Sequence, residues 1–134
     1  MKREYNIIYT LSSKCIHEIE SSEILGTLKF KSAFVNIKVS NKIMYTHLAR
    51  TVINSDGHAT VTIYEQSIKE VVRQGYILNG IKPKNFEHAL QIVIEHEISH
   101  IANNYLGGSG HDKGFKRIAF GIFKHKEVVG RKDE

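Results

Sequence analysis

HEISH occupies positions 96–100, and a third histidine, His111, follows after ten intervening residues. Histidines four apart on a helix stand one turn from each other and about 40° apart around its axis. Both imidazoles of His96 and His100 can then reach one ion at about 2.0–2.1 Å, the bond length of zinc to nitrogen. A third imidazole from His111 leaves the fourth position of a tetrahedral ion open to water, which is the arrangement of a catalytic zinc site. The expected cofactor is one Zn2+ per chain. Glu97 lies between the two helical histidines, and a charged carboxylate at its angle on the helix is costly unless it is paired or working.

The elements that must position these residues are legible from periodicity. Between Phe86 and Leu106, Leu90, Val93, Ile94, Ile98, Ile101 and Tyr105 form one apolar stripe. His96 and His100 fall on its border and Glu97 inside it. Asn85 is suited to cap the helix, with Glu87 in its first turn. Gly107-Gly108 should end it, and Ser109-Gly110 should reverse the chain. A second amphipathic helix follows, carrying Phe115, Ile118, Ala119, Ile122 and Phe123, with His111 at its start; Asp112 reads as a first-turn acid, not a ligand. Upstream, Leu25–Val39 reads as extended chain. RTVINSDGHATVTIYE reads as a hairpin turning at Asp56-Gly57, with Val61 and Ile63 on one face. A helix should run from Glu65 to Gln74 with Ile68, Val71 and Val72 inward, ending near Gly75 or Asn79-Gly80, and Pro83 falls in the connection. Residues 4–24 fit either a helix lined by Tyr5, Ile8, Cys15 and Ile19 or short strands. Strands followed by two C-terminal helices make the fold class α+β.

The chain has 134 residues, the size of a single domain with one modest core, here 1–134 with its centre at about 25–125. Its lone cysteine, Cys15, excludes an internal disulfide and suits a reducing compartment. No stretch approaches the roughly 18 apolar residues of a membrane span, and the N-terminus makes a poor signal peptide. A cytoplasmic protein with no membrane partner is expected. There are 19 Lys+Arg against 14 Asp+Glu, a net charge of +5. That excess favours a polyanionic partner bound through its backbone, because most of the basic residues are lysines, which lack the fork that reads base edges. Lys113, Lys116 and Lys124 are the expected contacts to DNA. The five other histidines, His17, His47, His58, His88 and His125, lack metal-ligand spacing and read as surface or core residues.

HEISH, ten residues, then HDKGFKRIAFGIFKH resembles the SprT-like zinc metallopeptidases, the Spartan group. LGTLKF and ATVTIYEQSIKE are similar to that family's strand segments ahead of the active helix. The resemblance covers about residues 25–125. It implies a minimal zincin-like fold, a small antiparallel or mixed sheet packed on the HExxH helix and a following helix. It also implies peptidase activity on proteins associated with DNA. By the motif, His96, His100 and His111 correspond to the zinc ligands and Glu97 to the catalytic base. The chain departs from the family's pattern at Ser99, where many members have cysteine, and at Ile101, where alanine is common. It also has no tryptophan, and with one cysteine no four-cysteine ribbon. The shorter gap of WLM metallopeptidases and the HExxHxxGxxH of metzincins fit less well.

Zinc hydrolysis of a peptide bond, with substrate added as a strand at the sheet edge near ATVTIY, is the expected activity. Tyr76, Tyr105 and His125 are the residues available to steady an oxyanion. Two alternatives use the same residues: a zinc-stabilised nucleic-acid-binding module that cleaves nothing, and a cytosolic metallopeptidase cleaving a regulatory protein. Glu97 separates the first from the peptidases, since a structural zinc site does not need it.

Overall fold

ATVTIY alternates β-branched residues that suit a pleated, buried strand, and it occupies the middle of the sheet. The computed structural model describes residues 2–21, 35–44, 47–55 and 58–126, and within these the side chains of all but residues 2–9 and 20. In chain order the elements are α1 (Lys2–Glu20), β1 (Val35–Ser40), β2 (Ala49–Ile53), β3 (Ala59–Tyr64), α2 (Glu65–Gln74), α3 (Phe86–Tyr105) and α4 (Lys113–Gly121). The fold is α+β, with a mixed three-stranded sheet ordered β1-β3-β2. β1 runs parallel to β3 with Val35 opposite Ala59, and β2 antiparallel to it with Ala49 opposite Ile63. Among the described residues no helix is long and apolar enough to cross a membrane.

The expected hairpin is the β2–β3 pair, closed where the Asn54 N–H donates to the His58 carbonyl at 2.7 Å. Its expected turn, Asp56-Gly57, lies outside the described residues, as does the extended reading of 25–34. One expectation is corrected. ATVTIY is not at an edge, because β1 and β2 hydrogen-bond to its two sides. The strand with Ala59, Val61, Ile63 and Tyr64 buried takes the position where both backbone edges are satisfied. Among the described residues β2 is the edge strand beside α3.

The open choice at 4–24 is decided as helix. Leu11, Cys15, Ile16 and Ile19 recur at helical spacing and are buried in the same core as α3; the side chains of Tyr5 and Ile8 lie outside the described set. α2 matches its expected bounds and stops at Gly75, whose φ of +74° suits a glycine cap. α3 begins at the Asn85 cap, whose side chain accepts the His88 N–H at 2.8 Å. The single apolar stripe expected on α3 is too narrow. From Ala89 to Asn103 every residue except half-buried Gln91 and His100 is buried, while Tyr105 is 50% exposed. The reason is packing on several sides: α1, α2, β2 and α4 all contact this helix, leaving no solvent face between its first and last turns.

Burial pushes the Cys15 thiol well above its ordinary value, with the nearby charges of Glu95 and Glu18 adding to the effect. In native buffer at neutral pH an aromatic disulfide reagent should therefore leave Cys15 unmodified, and in urea one thiol per chain should react. Modification at the rate of a free thiol without denaturant would contradict the packing of α1 on α3.

Candidate metal centre

Three imidazoles converge where α3 meets the reversal that leads to α4. The Nε2 atoms of His96 and His100 are 3.2 Å apart, those of His100 and His111 3.1 Å, and those of His96 and His111 3.4 Å. A tetrahedral ion with nitrogen bonds of about 2.0–2.1 Å separates its donors by about 3.3–3.4 Å. All three spacings agree with that edge length. The chemistry agrees too, since one proton per ring cannot satisfy three mutual contacts among nitrogen lone pairs, whereas one cation satisfies all three. Among the described residues this is the cluster of donors able to hold a metal ion. Phe115, buried on α4, packs on every ring: it stacks on His100 at 4.3 Å between centroids and lies 5.1 Å from His96 and 4.8 Å from His111. An aromatic wall of this kind fixes the rings and excludes water from behind them.

His111 belongs to no helix, so something must hold its loop. Asn103 does so. It follows His100 by three residues on the same helical face, is only 2% exposed, and donates from Nδ2 to Asp112 Oδ1 at 2.8 Å. Its own backbone carbonyl accepts the Gly108 N–H at 2.9 Å. Glycine is required on both sides of this side chain: a Cβ added at Gly108 or Gly114 would meet Asn103 Oδ1 at 2.4 or 2.2 Å. Asp112 completes the latch as the N-cap of α4, accepting from Phe115 N and Ser109 N at 3.0 Å each. The Ser109 and Phe115 amides, and then the Asn103 side chain, hold its carboxyl below the ordinary range. A depressed carboxyl of this kind contributes stability above its ordinary value of 3.8, lost as pH falls through the lower folded value. Asp112 is thus a cap and a clamp, one residue past the sequence-predicted ligand.

Glu97 is 5% exposed, inside the core as its helical angle requires. Its Oε1 accepts a hydrogen bond from Thr51 Oγ1 at 2.8 Å, and Oε2 lies 4.0 Å from His96 Nε2. The carboxylate therefore has one oxygen on strand β2 and the other towards the histidine cluster. An open cleft of about 330 Å³ runs between β2 and α3, with Arg50, Thr51 and Ile53 on one wall and Glu97, His100 and Asn104 on the other.

The structure brings His96, His100 and His111 together with Glu97 beside them. Of the three lysines, Lys113 and Lys124 are exposed, while Lys116 lines a cavity with His96 and His111. Tyr76 and Tyr105 are about half exposed, at 49% and 50%, and line neither that cavity nor the cleft. His125 does line the cavity, but its Nε2 is bonded to Glu95 Oε1 at 2.9 Å. His88 Nδ1 accepts the Lys84 N–H at 3.0 Å and serves the start of α3. Sequence reading passed over Thr51, Asn103 and the Glu95–His125 pair. Only Asn103 carried a local signal, its place on the histidine face. Comparison with protein-family models, with curated proteins and with solved structures finds no match to this chain.

The purified chain should bind about one zinc ion, and alanine at His96, His100 or His111 should abolish that binding. Asn103→Ala keeps all three ligands, yet should weaken zinc affinity by about 10–100-fold, as loss of outer supports commonly does. Competition against a coloured chelator measures both. Undiminished affinity in Asn103→Ala would remove the latch, and full zinc retention in His111→Ala would remove that ligand.

Proposed function

We propose that this protein is a zinc metallopeptidase, and the observation that carries the reading is Glu97. A buried carboxylate, held by Thr51 and turned towards three convergent imidazoles, borders an open cleft along an edge strand. A purely structural metal site has no use for such a group, which favours catalysis over a zinc-stabilised binding module. Three neutral imidazoles suit zinc. The likeness of HEISH and HDKGF to the SprT-like metallopeptidases supports the same activity and a zincin-like fold.

Bound at His96, His100 and His111, zinc would supply a Lewis acid that polarises the scissile carbonyl and lowers the pKa of its water towards neutrality. The protein's own groups do the rest. Glu97 accepts the proton of the attacking water as the oxygen bonds to the carbonyl carbon. It then passes that proton to the amide nitrogen as the C–N bond breaks, giving a carboxylic acid and an amine. Thr51 keeps Oε1 occupied, so that the base does not swing away from the cluster. The side of β2 that no described strand pairs can hydrogen-bond an extended substrate backbone, which positions the chain with little dependence on side chains. Such a site accepts unfolded segments of many proteins. The net charge of +5 supports substrates carried on DNA, the class that the resemblance implies.

Glu97→Gln preserves size and hydrogen bonding but cannot take the proton. It should keep zinc and cut an unstructured protein about 10²–10⁴-fold more slowly. Thr51→Val should retain zinc and lose a smaller factor in kcat. The assay is cleavage of a disordered substrate, with and without single-stranded DNA, at matched zinc content. Equal cleavage by wild type and Glu97→Gln would move the base elsewhere. Absence of any cleavage by the wild type would favour the binding module.

A further inference from the structure

Another cavity, of about 110 Å³, adjoins the cluster beside α4, and its polar lining is Asn79, His96, His111, Lys116, His125 and Lys126. Among the described residues no carboxylate lines it. Its wall is built by contacts from three directions. The His125 N–H donates to the Ala119 carbonyl at 3.0 Å, and the Lys126 N–H donates to the Asn79 carbonyl at 2.7 Å. Gly80, at φ +78°, lets its turn press against the segment after α4, since a Cβ there would lie 2.4 Å from Lys126 Cβ. The His125 ring itself is 2% exposed and fixed through Nε2 to buried Glu95.

One polar atom in this wall is unaccounted for. His125 Nδ1 is buried and has no hydrogen-bond partner. A buried nitrogen left in that state is costly, and such atoms in folded proteins usually have a ligand or water to meet. With Nε2 committed to Glu95, Nδ1 is the ring atom left to meet a ligand. Lys116 and Lys126 add positive charge, Asn79 adds an amide, and a metal ion on His96 and His111 would add more. Phe120 supplies an apolar side on which a short methylene stem can lie. Everything here favours a small anion with a short aliphatic tether.

We infer that this cavity binds a substrate carboxylate, the side chain of a glutamate or aspartate next to the bond held at the metal. The inference rests on the peptidase reading and adds a specificity to it: the cleft along β2 holds backbone without selection, and this cavity selects one acidic side chain. Lys126 opposes the carboxylate, and His125, positioned by Glu95, meets it from the wall.

Two measurements test this on the full zinc-loaded chain. In the first, peptides identical except for Glu, Gln, Leu or Lys on either side of the scissile bond are compared by kcat/KM. Glu should exceed Gln by about tenfold or more, and in Lys126→Glu that ratio should fall to about one or below. Equal rates for Glu and Gln in the wild type overturn the inference while leaving the peptidase reading intact. In the second, N-acetyl-glutamate amide, N-acetyl-glutamine amide and N-acetyl-leucine with a free carboxylate are titrated while the His125 and Lys126 resonances are followed. Only the first should shift them saturably, and Lys126→Glu should abolish the shift. If no peptide is cut, the peptidase reading fails and this titration decides alone: a saturable shift supports the carboxylate site, and no shift overturns it. A response to the leucine compound instead would reassign the cavity to a chain terminus and overturn the side-chain assignment.

Discussion

A helix buried on nearly every side must find partners within the protein for each polar group it carries, and α3 carries many. Between Glu95 and Asn103 it places two carboxylates, two imidazoles, a hydroxyl and an amide at or near the core. Leaving one such group unsatisfied costs about 1–3 kcal/mol, more if it is charged. The partners come from every direction. Glu95 meets His125 and Gln91, Glu97 meets Thr51, the Ser99 hydroxyl donates to the Glu95 carbonyl at 2.7 Å, and Asn103 meets Asp112. This set of demands fixes where the rest of the chain docks. β2 must approach with Thr51, the reversal after α3 must fold back with Asp112, and the segment after α4 must return with His125.

The histidines of α3 are the exception that gives the site its character. The Nε2 atoms of His96 and His100 converge on each other and on that of His111, an arrangement that a shared cation could complete. An ion that binds the folded chain and finds no preformed site in the unfolded one adds its binding free energy to stability. Phe115 would make such a coupling mechanical, because the same buried ring touches all three imidazoles and ties α4 to them.

What the sequence disclosed follows the range of the interactions involved. The helical spacing of His96 and His100, the Asn85 cap, the β2–β3 hairpin and the bounds of α2 are local, so periodicity and turn chemistry reveal them. The order of the strands is not local. The parallel pairing of β1 with β3 joins segments separated by the whole of β2, and no pattern within ATVTIY says which neighbours it will have. The burial of α3 was hidden for another reason. Glu95, His96, Ser99 and Asn103 read as polar, and polar residues become core only when remote residues satisfy them. A stripe drawn through its apolar residues alone therefore saw one face of a helix that packs on several. Tyr105 falls in that stripe by angle, yet half of its surface is exposed.

Glu95 and Glu97 stand two residues apart on one buried helix, yet their surroundings separate their roles. Glu95 is bonded to a buried imidazole and to an amide, which together fix it in place. Glu97 is bonded to a neutral hydroxyl, which orients a carboxylate without cancelling its charge. A lysine or arginine at position 51 would hold Glu97 as firmly, but it would compete with the proton that a base must accept. Threonine on an edge strand gives orientation without that competition, and it does so from the wall of the cleft along which an extended chain would lie. In the proposed peptidase the same short strand would present to a substrate the backbone side that no described strand pairs, and its hydroxyl to the base. Any movement of β2 away from α3 would loosen both contacts together, which couples the holding of an extended chain to the orientation of the group that would act on it.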